Sequence, residues 1–368
     1  MPDIKPLLKR LISLPGLTAH EGPIREAIAE AWKPLVDELS VSRMGSLHGL
    51  KRGSGAEPKD GQPRPRILLA AHMDAIGMIC TGISEGGFLR FFRVGGVDPR
   101  ILPGTPVTVH ASGGGQRELS GQRELPGVIA QPSDALLPPS LRGKPVKMEY
   151  LLVDTGLEEE EVRAQVRVGD LISFATQPTE LSGDVISGHS LDNRASVVAV
   201  TACLEELQRV SHSWDVYAVA TVQEEETLMG GFTSPYEIRP QIAVAVDVTH
   251  AKGPGASDWR TVPMGKGVAL AWGPNTHPVL YEDFKALADR LDLPYSLEVY
   301  PSGSGTDAMG MQIVNEGIPT MVISIPLRYM HTPVEVVSYK DVARTGHLLA
   351  QFIADLAPGY MDELKYDD

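Results

Sequence analysis

Apolar residues in this chain recur at two different periods. Ile4 to Leu14 carries them at helical spacing, and Pro15-Gly16 marks a stop, so a first amphipathic helix is predicted there. Ile24, Ile28, Trp32 and Leu35 repeat that spacing and predict a second helix over Pro23 to Glu38, strained at Pro34. Arg66 to Ala71 is a short apolar run, read as a buried strand that delivers His72, Met73 and Asp74. From about Thr81 to Leu181 glycine and proline are dense. Short β-like runs dominate there: Phe88 to Val94, Thr105 to His110, Gly127 to Ala130, Lys147 to Leu152 and Leu171 to Ala175. Only Leu157 to Gln165 reads as helical, so this block is expected to be a small β-barrel or sandwich.

The first character resumes near Gly183. A helix is predicted from Arg194 to Arg209, with Val197, Val200, Leu204 and Leu207 on one face. Strands follow at Val216 to Val222, Ile242 to Val246, Val268 to Trp272, Tyr295 to Tyr300 and Thr320 to Ile325. Helices at Tyr281 to Leu291, near Asp307 to Asn315 and at Tyr339 to Leu356 separate or follow them. Strands alternating with helices imply an α/β fold, with a mainly parallel sheet covered on both faces. The expected organisation is therefore one α/β domain, residues 1–80 with 182–368, split by a β-rich insertion at residues 81–181.

The stretch VYAVATVQEEETLMGG, Val216 to Gly231, changes the picture from fold to chemistry. A strand buried on both faces runs straight into Glu224, Glu225 and Glu226, and a Gly pair then lets the backbone turn. Adjacent carboxylates at the end of a buried strand repel each other and lose water, so they need a compensating cation or a solvated loop. No Lys or Arg lies between Val216 and Thr233, which makes a bound metal one answer. Other metal-capable side chains fall at strand ends as well: His72 and Asp74, Asp247, and His331 in the run PLRYMHTP. Open α/β sheets bind ligands beyond those ends. Asp192 stands at a helix start, where taken alone it reads as an N-cap.

Two histidines and three carboxylates suit a pair of divalent ions such as Zn²⁺, Co²⁺ or Mn²⁺. Such a pair, roughly 3.5–4 Å apart, needs a shared carboxylate. One carboxylate, Glu224 or Glu225, is then left to move protons, since neighbours on an extended chain cannot both face one ion. Asp74, two residues after His72 on a strand, can hold the far nitrogen of that imidazole or lie beside it.

Composition narrows the setting. The 368 residues are 42% hydrophobic and 22% charged, as in soluble globular proteins. A net charge of −14 disfavours nucleic acid and anionic membranes as partners. Cys80 and Cys203 lie in apolar surroundings and read as buried thiols, which suits a reducing cytoplasm. The N-terminus reads as neither signal peptide nor membrane span. Gly53 to Arg66 reads as a loop, and GQREL at Gly115 to Leu119 and Gly121 to Leu125 as a local duplication in another.

The runs AAHMDAIG, SGHSLDNRA, TVQEEETLMGG, AVDVTHA, GSGTDAMG and IPLRYMHTPVEVV together resemble the M42 family of dinuclear-metal aminopeptidases, the TET-type glutamyl and deblocking aminopeptidases. PGLTAHEGPIRE and FRVGGVDPRILPG add to the resemblance, which spans nearly the whole chain in order. It implies a zinc-peptidase-like catalytic domain with an inserted β domain that drives assembly of dimers into a hollow homododecamer. It implies that Asp192 bridges two divalent ions, Zn²⁺ or Co²⁺ with Mn²⁺ as an alternative. His72 and Asp247 would complete one ion's shell, and Glu225 with His331 the other. Glu224 would be the general base and Asp74 would orient His72. Peptides with free N-termini would be the substrates.

Two runs depart from the family pattern. Glu226, Thr227 and Met229 stand where the family usually has Val-Gly and later Arg-Gly, and Lys252 to Gly255 stands where an acidic residue often follows. His250 reads as a solvent-facing loop residue and His189 is read in the same way. Ser304, Thr306 and Asp307 are expected to line the pocket, with the GTD core and Arg328 positioning substrate; the G-x-S-x-G spacing of a serine nucleophile is absent. The competing readings are an M20-type dinuclear-zinc deacylase or carboxypeptidase, whose insertion is a compact α/β unit, and an inactive assembling homologue. A cellulase is not supported by 6% aromatic content.

Overall fold

The computed structural model describes residues 3–55, 63–113 and 123–365. Two helices, α1 (Lys5–Ile12) and α2 (Gly22–Trp32), precede strands β1 (Glu38–Val41), β2 (Leu47–Lys51) and β3 (Arg66–His72). The chain then enters a barrel. Its strands are β4 (Gly77–Ile83), β5 (Leu89–Val94), β6 (Pro106–Ala111), β7 (Arg123–Ala130), β8 (Leu152–Asp154) and β9 (Leu171–Phe174), with helix α3 (Glu159–Gln165) between the last two. They close in the order β4-β5-β8-β7-β6-β9. The return leg brings β10 (Thr179–Leu181), β11 (Val185–Gly188), α4 (Leu191–Glu206), β12 (Asp215–Thr221), α5 (Glu224–Thr227), α6 (Met229–Ile238) and β13 (Ile242–His250). The last elements are β14 (Val268–Trp272), α7 (Pro278–Arg290), β15 (Tyr295–Val299), α8 (Ala308–Met311), β16 (Thr320–Arg328), β17 (Glu335–Ser338) and α9 (Tyr339–Asp355).

Eleven strands make one sheet, ordered β1-β2-β12-β3-β13-β16-β17-β11-β10, with β14 and β15 branching from β16. The central pairs β12/β3, β3/β13 and β13/β16 are parallel, and antiparallel strands flank them. Alternation along β3 shows why it reads as an unbroken apolar run. Ile67, Leu69 and Ala71 join the core under α1, α2, α4, α7 and α9, while Leu68 and Ala70 join the core under α6 and α8. A third core fills the barrel around Met78, Leu89, Val109, Ile129, Val153 and Ile172. Both cysteines are buried free thiols. Among the described residues no helix is long and apolar enough to cross a membrane.

Several expectations need correction. Helix α2 stops at Trp32, because a proline two residues on cannot continue it, and the chain turns into the β1–β2 hairpin instead of reaching Glu38. The run Lys147 to Leu152 is a tight 3₁₀ turn at Met148–Tyr150, followed by a three-residue strand. The barrel has a sixth strand, Gly77–Ile83, beyond the five expected runs; glycines at 77 and 82 interrupt its apolar pattern. Helix α6 was hidden by Gly230, Gly231 and Pro235 inside it. Strand β13 continues to His250, so Asp247 lies within it and not at its end. Residues 56–62 of the predicted loop, the first GQREL copy and the start of the second lie outside the described residues.

Candidate metal centre

Parallel register brings the ligand-bearing ends of the sheet together. His72, the last residue of β3, pairs with Thr221, the last of β12. Two residues on, Gln223 adopts a left-handed φ of 55° and Leu228 does the same, and the one-turn helix α5 is held between them. The turn therefore comes from these two residues, and the expected glycine pair instead packs inside α6. Because Glu224 and Glu225 sit in a helical turn and not on an extended chain, their side chains diverge by about 100°. Glu224 faces His72, with Oε2 3.6 Å from Nε2, and Glu225 faces His331, with Oε2 3.4 Å from Nε2.

Asp192 lies between the two histidines. Its Oδ1 is 3.2 Å from His72 Nε2 and its Oδ2 is 3.4 Å from His331 Nε2. It does not cap α4; Ser190, at φ 64°, occupies the N-cap position, and the Asp192 side chain turns into the site. Asp247 Oδ1 is 3.8 Å from His72 Nε2. His331 is itself left-handed, at φ 62°. Such backbone is costly and persists where surrounding structure enforces it. The structure thus brings His72, Asp192, Glu224, Glu225, Asp247 and His331 into one cluster, buried except for the partly exposed His331. Two triads, His72/Glu224/Asp247 and His72/Asp192/Glu225, have donor atoms within 4.8 Å of one another.

Asp74 does more than stand beside His72. Its Oδ1 lies 3.5 Å from His72 Nδ1, while its own backbone carbonyl is closer, at 3.3 Å. The carboxylate accepts the backbone N–H of Glu224 at 3.0 Å and of Glu225 at 3.3 Å, and the Thr18 hydroxyl at 2.7 Å. It caps the first turn of α5 from across the cluster.

Two supporting residues escaped the sequence reading. Glu335, buried on β17, accepts the Asp192 N–H at 3.1 Å and the His331 N–H at 3.0 Å. One carboxylate thereby fixes the backbone on both sides of the bridge. Arg194, fully buried, donates to the carbonyls of Leu11, Leu14 and Met73. The available signals were a charge inside the apolar run PVEVV and an arginine opening a helix whose next turns are almost wholly apolar. Ser304 and Thr306 line the cavity, but Asp307 is buried and accepts from the Thr221 hydroxyl at 2.5 Å. Arg328 is not among the residues lining it; its Nε donates to the Lys252 carbonyl. His250 ends β13 and lines the cavity, whereas His189 is buried edge-on against Phe174.

The electrostatics ask for cations. Burial pushes the Glu224, Glu225 and Asp247 carboxyls up, and their carboxylate neighbours push further; Asp247 reaches about 8. Burial works against an imidazolium at His72, yet Glu224, Asp192 and Asp74 hold its pKa well above the ordinary value. Burial works against ionisation of Asp192 too, but His331 and His72 keep it below the usual carboxylate range. Among the described residues the ion-pair partners of these carboxylates are His72 and His331. Two imidazoles and several oxygen donors fit divalent cations of borderline softness. Cation binding needs these acids ionised and His72 neutral, so it is expected to release protons at pH 7 and to weaken as pH falls below about 8. Calorimetry in buffers of different ionisation enthalpy reads the release directly; buffer-independent heats would contradict it.

The barrel touches the cluster. Glu226 Oε1 accepts the Gly95 N–H at 2.6 Å, and Gly96 lies against His331, where an added Cβ would stand 2.3 Å from Nδ1. Gly96→Ala must therefore displace the His331 ring. It is expected to weaken divalent-ion binding about tenfold or more, by the scale of lost ligand support; unchanged affinity in a metal titration would show that the ring has room. A cavity of about 580 Å³ opens over the cluster and continues along Thr249, Glu298, Tyr300 and Ser304.

Comparison with known proteins gives this geometry a context. A family described as M42 glutamyl aminopeptidase matches residues 53–348. The lysyl aminopeptidase of Pyrococcus furiosus is 32% identical over 96% of this chain and 97% of that protein. An aminopeptidase from Desulfurococcus kamchatkensis superposes with a TM-score of 0.87 at 34% identity, covering 98% of this chain and 97% of that one. The TET1 peptidase of Pyrococcus horikoshii, described as assembling into a tetrahedron or a large octahedral shell, superposes at 0.81 with 28% identity, covering 96% and 100%.

Proposed function

The chain belongs to the M42 peptidase family, and on that premise we propose a dinuclear-metal aminopeptidase acting on peptides with a free N-terminus. The observation that carries the reading is Asp192, whose two carboxylate oxygens each face a different histidine. Two ions, Zn²⁺ or Co²⁺ with Mn²⁺ as an alternative, would supply an activated water and a polarised scissile carbonyl. Asp192 would be shared between them, His72 and Asp247 would serve one, and Glu225 and His331 the other. Glu224, aimed into the cavity beside His72, would take the proton of the attacking water and hand it to the leaving amine. Asp74 would keep Glu224 and Glu225 diverging by capping their helical turn and would orient His72 from its Nδ1 side.

We assign this chemistry to the α/β domain, expected at residues 1–80 with 182–368, and self-association to the inserted block expected at 81–181, whose barrel strands run from Gly77 to Phe174. The tetrahedral or octahedral shells described for the related TET1 peptidase support self-association here, which we read as dimers building a homododecamer. Buried free thiols suit a cytoplasmic setting. Chelation is expected to abolish cleavage of aminoacyl chromogenic amides, and added Co²⁺ or Zn²⁺ to restore it, while N-acetylated versions stay intact. Cleavage that survives chelation, or ignores the acetyl group, would defeat the proposal.

A further inference from the structure

The wall of the cavity farthest along the sheet from Asp247 holds a carboxylate with no task in the scheme above. Glu298 sits on β15, three strand spacings from β13, or about 14 Å at the backbone. Of the two intervening strands, β14 carries only Ala271 opposite it, with Ala269 two residues away, and so leaves its side chain room, while β16 carries Ser324 in register with Asp247. Glu298 is 7% exposed and lines the same cavity as His72 and Glu224. Its Oε1 accepts from the Tyr300 hydroxyl at 2.8 Å, and its Oε2 has no hydrogen-bond partner among the described residues. Burial raises its pKa, and the Tyr300 hydroxyl on Oε1, with the Thr249 and Ser324 hydroxyls nearby but short of hydrogen-bond geometry, pulls the other way. A ring of hydroxyls with no cation is an incomplete shell for a buried carboxylate.

Other charged groups on the cavity wall are occupied. Glu226 accepts from Gly95, and the carboxylates of the metal cluster face His72 and His331. Arg260, the one arginine or lysine among the described lining residues, is exposed at the rim and held by Asp258, its Nε 2.9 Å from Oδ2. A cationic donor arriving with substrate would complete the Glu298 shell with a charge-assisted hydrogen bond. The substrate's α-ammonium cannot be that donor, because it lies within two bonds of the carbonyl that must sit at the metal cluster. The Glu298 carboxylate reaches back toward Ser324 on β16 and Thr249 on β13, the strand that carries Asp247, so the remaining gap suits a long first side chain.

Resting on the aminopeptidase reading, we propose that Glu298 is the counter-charge for a basic first residue, so that this site prefers N-terminal lysine or arginine. The test uses lysyl and norleucyl chromogenic amides, which share length and α-amine and differ in the terminal ammonium. The full-length, metal-loaded wild type is expected to favour lysyl by at least about tenfold in kcat/KM. Glu298→Gln should bring that ratio toward one, chiefly through KM, and Glu298→Asp should keep part of it. A ratio between two substrates of one variant is insensitive to how much of the variant folds. A wild-type ratio near or below one overturns the proposal. So does a ratio that Glu298→Gln leaves unchanged, including the case in which both substrates suffer equally. If the loaded wild type cleaves norleucyl but shows no lysyl preference, only the Glu298 assignment fails. If it cleaves no free-amine amide of a wider panel, the aminopeptidase reading fails first.

Discussion

Glu224→Gln is expected to leave divalent ions bound and to lower kcat by about 10²–10⁴-fold, the range attached to a positioned general base. The substitution keeps the side chain's shape and preserves the backbone bond from residue 224 to Asp74 Oδ1, so the turn that also carries Glu225 should persist. What it removes is the proton-accepting oxygen 3.6 Å from His72 Nε2. KM should move little, because the loss is confined to the transition state. The measurement needs metal content and turnover from the same sample, since Glu224 also falls in a candidate ligand triad with His72 and Asp247. Loss of an ion along with turnover would make Glu224 a ligand; near-normal turnover would make it a bystander.

How far that site could be read from the chain depends on the kind of residue. His72, Asp247 and the glutamate pair were legible because each interrupts or ends a strand buried on both faces, where an ionisable side chain is conspicuous. Their convergence follows from the parallel register of β12, β3, β13 and β16. The means by which Glu224 and Glu225 part company was not legible. Extended geometry suggested it, but the structure achieves it with a helical turn between two left-handed residues, Gln223 and Leu228, neither of them glycine. Local sequence carries no mark of such backbone when tertiary contacts impose it. Asp192 shows the same limit, since its helix-start position suggests a cap and only the distant His72 and His331 draw its side chain inward. Short strands on the antiparallel flank of the sheet, such as β10, β11 and β17, hold three or four residues each, too few for a period to show. Glu335 went unread for that reason, although it holds the backbone on both sides of the proposed bridge.

The bridge gives the second large expectation. Asp192→Asn should cost both ions, because it removes the negative charge and one of the two oxygens that face the two histidines, and turnover should vanish with them. The backbone N–H from residue 192 to Glu335 remains, so the loop itself has reason to stay in place. In the ion-free protein Asp192 is the partner of His72 and His331, so the variant also bears some direct cost in stability. The informative quantity is therefore the difference in Tm between loaded and ion-free samples of one variant, in which that cost cancels. In the wild type each site held at a hundredfold excess over its Kd adds about 2.7 kcal/mol to stability. The variant should show almost none of that gain, and elemental analysis should find fewer than one ion per chain. If Asp192→Asn keeps a wild-type shift and two ions, the metals are held independently. The two oxygens of Asp192 would then be hydrogen-bond acceptors for the histidines and nothing more.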